Sequence, residues 1–280
     1  MVAHLPPVIK QLLTLRNPGA FSSPPTRALN SVLHATRSEA KKHGAENGWL
    51  VLSTCTLLTA NTPGAVGDLY RFATRSNPSA PETRLPLAES LDIAAKMRES
   101  SLKSSIFIGV PRTIISLAAM TEAFEEDVKD GLRKDSHRMV NAGNVDMFVE
   151  RGRALWKSIY KPQDEKLYNK LGGYHPDFIT FIIQAYGVVL APFPAADQEQ
   201  GNLSRALGSV VGTACLRAET RVGPQLTSHV FGLLKARNVE GLDEGDKWLS
   251  SDEGTEWVIR SVDKIYDVAR GPGEEPSAKL

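Results

Sequence analysis

Apolar residues recur along this chain at steps of three and four, and no stretch sustains an alternation of apolar and polar positions. A period near 3.6 belongs to a helix with one packed face, and a period of two to a strand. The pattern predicts helices over 6–16, 26–43, 47–60, 65–74, 86–105, 111–127, 146–160, 163–171, 176–190, 202–220, 224–237 and 251–270, and hence an all-α fold. Several ends carry physical markers. Ser250 and Glu253 have the spacing of a capping box, which satisfies two free amides at a helix start. The helix that follows aligns Val258, Val262, Ile265, Tyr266 and Ala269 on one stripe and stops at Arg270-Gly271-Pro272. Gly223-Pro224 places proline in a first turn, and Gly109-Val110-Pro111 separates two apolar helices.

Two stretches, Asn47 to Gly67 and Phe178 to Ala196, contain no charged residue. Length alone makes each a candidate to span a membrane. Asn61-Thr62-Pro63-Gly64 interrupts the first, and Pro192 and Pro194 cut the second too short. Both are therefore expected to be core helices, since a helix apolar all round needs protein on every side. No transmembrane segment is expected.

Residues 125–144 are strongly charged and separate two segments of similar plan. Each has an uncharged helix, a polar connection and a Gly-Pro-containing helix start, at Ile108-Gly109-Val110-Pro111 and Val222-Gly223-Pro224. The expected organisation is a helical leader at 1–25, halves at 26–130 and 145–270 packed as one unit, and a flexible tail at 271–280. A duplicated helical unit fits this plan, although residue identity between the halves is weak.

The 280 residues are 41% hydrophobic and 23% charged, as in an ordinary soluble protein with a sizeable core. The net charge of +1 exerts no pull toward nucleic acid, and basic patches with interleaved aromatics are absent. That near-zero balance averages two unequal ends. Residues 1–38 contain no acid, whereas residues 240–280 hold eleven acids against five bases. A basic, acid-free leader fits a mitochondrial transit peptide; the preferred reading is an ordinary helix with Val8, Leu12, Leu13 and Leu15 on its apolar side. The chain ends in Ala278-Lys279-Leu280, close to the Ser-Lys-Leu peroxisomal signal, behind an exposed-looking run from Gly271 to Ser277. Peroxisomal matrix is the expected location, with the import receptor as partner; the mitochondrion is the alternative.

Familiar chemical motifs are missing. There is no phosphate-binding Gly-x-x-x-x-Gly-Lys-Ser/Thr loop, no strand-borne Gly-x-Gly-x-x-Gly and no Gly-x-Ser-x-Gly elbow, so no cofactor is expected. His175 and Asp177 lack a third ligand at useful spacing and read as a helix start, so no metal is expected either.

Residues 172–241 run GGYHPDFITFIIQAYGVVLAP, then NLSRALGSVVGTACLRAETRVGPQLTSHVFGLLKARNVEG. With Tyr186-Gly187, Leu203-Ser204-Arg205 and Gln225-Leu226-Thr227-Ser228-His229, this segment resembles the alkylhydroperoxidase D-like / carboxymuconolactone decarboxylase superfamily. Residues 97–120 resemble that family's paired helices around a Gly-x-Pro turn. The resemblance covers roughly residues 26–241 and implies a packed all-α fold, usually assembled as a homo-oligomer. Redox members carry a Cys-x-x-Cys pair before a histidine, with an upstream glutamate. Here His229 matches the histidine, Val222 and Gln225 occupy the cysteine positions, and Leu207 to Val210 supply no acid. The two cysteines of this chain, Cys55 and Cys215, are 160 positions apart in apolar surroundings, and nothing in the sequence places them together.

The lactone decarboxylase branch implied by the resemblance uses no cysteine. On that reading His229 transfers a proton and Arg217 or Arg221 holds a substrate carboxylate, with Tyr186, Glu219, Gln225 and Ser228 as further substrate-binding candidates. Each also has a structural reading. His229 lies on the apolar stripe Leu226, Val230, Leu233; Arg217, Glu219 and Arg221 fit a solvated charged face; Tyr186 fits a core aromatic. Three functions follow as expectations. The first is a cofactor-independent enzyme acting on a small carboxylated or acyl substrate by proton transfer or decarboxylation. The second is a non-catalytic helical protein that binds a metabolite or serves as scaffold. The weakest is thiol-dependent peroxide defence.

Overall fold

A computed structural model describes residues 4–16, 23–194 and 199–271. Among them there is no strand, and the helices are α1 Pro7–Arg16, α2 Thr26–Lys41, α3 Glu46–Thr59, α4 Pro63–Thr74, α5 Leu87–Ile108, α6 Val110–Ala123, α7 Glu126–Gly131, α8 Val145–Tyr160, α9 Asp164–Tyr174, α10 Pro176–Ala185, a π-helical turn Tyr186–Leu190, α11 Arg205–Glu219, α12 Gly223–Ala236, α13 Glu244–Leu249 and α14 Asp252–Arg270. The fold is all-α, as the apolar period predicts. No described helix is long and apolar enough to cross a membrane. The tripeptide Ala278-Lys279-Leu280 lies outside the described residues.

The uncharged α3 is the central post, buried from Gly48 to Thr59. Its threonines are compatible with that position because Thr54, Thr56 and Thr59 each donate to the carbonyl four residues back, at 2.6–2.8 Å. Helices α2, α4, α5, α11 and α14 pack around it. One core thus runs from Leu29 to Ala269 and draws on both halves of the chain. A second cluster joins α8 to α10 and the π turn through Leu155, Trp156, Ile159, Ile179, Ile183 and Tyr186. Helix α1 keeps Val8, Leu12 and Leu13 exposed.

Four sequence expectations change. The run 111–127 is two helices, because the extended Phe124 turns inward onto the Tyr70 ring, 4.6 Å between centroids, while Glu125 accepts from Tyr70 and Arg75. The last helix is capped by Ser251, which accepts from Gly254, whereas Ser250 donates back to the Asp246 carbonyl of the unexpected α13. The acid-rich start of α13 hid it; Asp243 caps it through the Asp246 amide. Finally, the uncharged run after Phe178 is not enclosed. Helix α10 packs one side on α8, while Phe178 and Phe181 remain 45% and 58% exposed.

Candidate functional site

The π turn is the structural hinge of the site. It packs backbone to backbone on α8, where an added β-carbon at Gly187 would overlap the Phe148 carbonyl and one at Gly152 the Ile183 carbonyl. It ends at Leu190, which leaves its last carbonyls without helical partners; two cations take them up, and a third holds the segment just beyond. Arg138 Nε donates to Val188 at 2.8 Å. Lys103 Nζ, wholly buried, donates to Val189 at 2.9 Å and Leu190 at 2.7 Å. Arg151 reaches Pro192 at 3.0 Å. Glu99 pairs with both Lys103 and Arg138. Burial pushes the Lys103 ammonium down to about 8, with Glu99 opposing and Arg138 and Arg151 adding to the effect. This set of charges fixes the turn that aims Tyr186 inward.

Tyr186 meets Tyr160, from the end of α8, with their hydroxyl oxygens 3.0 Å apart. Tyr160 in turn lies 3.3 Å from Nε2 of His229 on α12. The imidazole is 5% exposed and stands edge-on to Phe107, 5.0 Å between centroids. Burial, helped by the nearby Arg205 charge, pushes its pKa down to about 4, so it is neutral at pH 7. Burial also raises both tyrosines above the ordinary phenol range. Behind the histidine, Arg205 donates to Ser158 Oγ at 2.8 Å, to the Gly232 carbonyl at 3.2 Å and to Ser209. It pairs with no carboxylate among the described residues, and burial lowers its pKa to about 10.

Tyr186, Tyr160 and His229 line a 520 Å³ cleft together with Tyr174, Phe178, Phe181 and Leu216. The arrangement offers a neutral imidazole and two phenols, each able to donate or accept one proton, beside an apolar surface.

Of the residues singled out from sequence, His229, Tyr186, Gln225 and Ser228 line this cleft. Ser228 Oγ donates to the Pro224 carbonyl at 3.1 Å. Arg217 instead holds Asp263 of α14 through two bonds of 2.6 and 2.7 Å. Glu219 accepts from Arg112 at 2.6 Å. Arg221 is exposed in the turn before α12, with φ of 55°. The end of α11 therefore sends its charges to neighbouring helices, and the cleft takes its polar groups from α8, α9, the π turn and α12. Neither Tyr160 nor Arg205 is a sequence candidate for the site, although Arg205 belongs to the Leu203-Ser204-Arg205 helix entry. Arg205 had a sequence signal, as the sole charge between Asn202 and Leu216; Tyr160 had none.

The cysteines also require correction. Packing of α3 on α11 brings Cys55 and Cys215 to the same partner, each 3.3 Å from Ser104 Oγ, despite their separation in sequence. Both are fully buried, and burial raises the Cys55 thiol well above its ordinary pKa.

Comparison of the chain with family profiles, with curated proteins and with solved structures finds no match.

Proposed function

We propose that the protein is a cofactor-independent enzyme that moves a proton on a small carboxylated or acyl substrate in the aromatic cleft. On this reading it is a relative of the alkylhydroperoxidase D-like / carboxymuconolactone decarboxylase superfamily without redox cysteines, working in the peroxisomal matrix. The observation that carries it is the hydrogen-bonded series Tyr186–Tyr160–His229 on a cleft wall. A neutral imidazole accepts a proton from substrate or polarises its carbonyl by donating one, and the two phenols pass a proton onward.

A second reading, binding without turnover, has its own support. A histidine held near pKa 4 is a weak base at neutral pH, and general catalysis is best served by a pKa close to the working pH.

Solvent deuterium exchange into a panel of small carboxylic acids and lactones, followed by mass spectrometry, separates the two. The enzyme reading expects exchange that His229→Gln lowers by about 100-fold or more. Saturable binding without exchange would establish the second reading instead.

A further inference from the structure

The geometry points to a ligand class for this cleft: a free aliphatic carboxylate, its chain on the aromatic wall and its anionic head against Lys166 and Lys170. The proposal deepens the reading above by naming the substrate type, while its binding claim stands on separate observations.

The first is continuity. A second cavity of 480 Å³ adjoins the cleft and shares Tyr160, Leu167, Lys170 and Ser228 with it. Together they make one trough, and each part lies within the ~300–1,000 Å³ of small-molecule sites. The second is its surface. Phe178, Phe181 and Phe231 are each about half exposed along it, a run of large apolar groups.

The third is charge. The trough is lined by Lys161, Lys166, Lys170 and Lys235 and, among the described residues, by no Asp or Glu. Lys235 is committed to the Ile159 and Lys161 carbonyls, at 2.7 and 2.8 Å. Lys166 and Lys170 stand one turn apart on α9 and pair with no carboxylate among the described residues. Two neighbouring ammonium groups at the edge of an apolar trough complement one anionic head joined to an apolar chain. A neutral chain leaves the lysines unmatched, and a short acid leaves the rings bare.

Calorimetric titration of the full chain with dodecanoate below its micellar concentration, dodecanol and acetate tests this. Dodecanoate should bind saturably at one per chain, dodecanol about ten-fold more weakly, and acetate not at all. The double variant Lys166→Gln/Lys170→Gln, confirmed folded by its melting curve, should bring dodecanoate to the level of dodecanol and leave dodecanol unchanged. Phe181→Asp should weaken both. Dodecanoate that binds the unaltered chain as stated yet shows no deuterium exchange would strike only the enzyme reading and leave the ligand class standing. Equal affinity for acid and alcohol, or a preference for acid that survives the double variant, overturns the proposal. So does absence of dodecanoate binding, whether the protein proves instead to bind anionic phospholipid vesicles or to form a dimer that Phe181→Asp dissociates.

Discussion

Gly212 sets how closely His229 can approach α11: a β-carbon there would stand 2.6 Å from the imidazole Nδ1 and 3.1 Å from the Phe107 ring. A histidine admitted so deeply is neutral when folded and ionises more readily when unfolded. Its folded pKa of about 4 lies below the ordinary histidine value of 6.5, so the unfolded chain binds the extra proton first as pH falls. Stability from this group is complete above about pH 6.5 and is lost toward pH 4, on the order of 3 kcal/mol in all. Asp246 works in the opposite sense. Burial pushes its carboxyl up to about 6, so folding gains stability as pH falls through 6 toward the ordinary carboxylate range. The two nearly cancel in the native protein. Urea unfolding of Asp246→Asn across pH 6.5 to 4 should therefore show a steep acid loss that adding His229→Gln removes; a flat profile in the single variant would mean that folded His229 is protonated.

The π turn is the element on which the site depends. It places Tyr186, approaches α8 through Gly152 and Gly187, and draws a buried lysine and Arg138 to its carbonyls, with Arg151 on Pro192 just beyond. Removing the lysine charge leaves those carbonyls short of donors in a place water does not reach. Lys103→Met should destabilise the protein by about 3 kcal/mol, measured by denaturant unfolding. Lys96→Met, which removes a surface pair with Asp92, should cost no more than about 0.5 kcal/mol. Similar losses in the two variants would remove the turn from this role. The sequence shows the uncharged run through Tyr186-Gly187 but not its π winding, because three of the groups that hold its end, Glu99, Lys103 and Arg138, are distant in the chain.

At the scale of the molecule, α3 and α11 come from opposite halves yet pack against one another, and a single core spans both. That packing also brings the two thiols to Ser104. Deleting Ala278-Lys279-Leu280 should leave the melting temperature unchanged and abolish peroxisomal import, scored by localisation of a fluorescent fusion whose tag precedes residue 1. Import that persists would refute the address.

Sequence by itself determined the helical class and nearly every helix, because one-sided burial writes a 3.6-residue period into the chain. It also singled out His229, Tyr186, Gln225 and Ser228, all on the cleft wall. Only the tertiary structure decided that Arg217 and Glu219 serve Asp263 and Arg112, that Tyr160 joins Tyr186 to His229, and that α10 leaves its phenylalanines open. Periodicity reports which side of a helix is apolar. What covers that side, and which distant charge answers another, depends on how the helices pack.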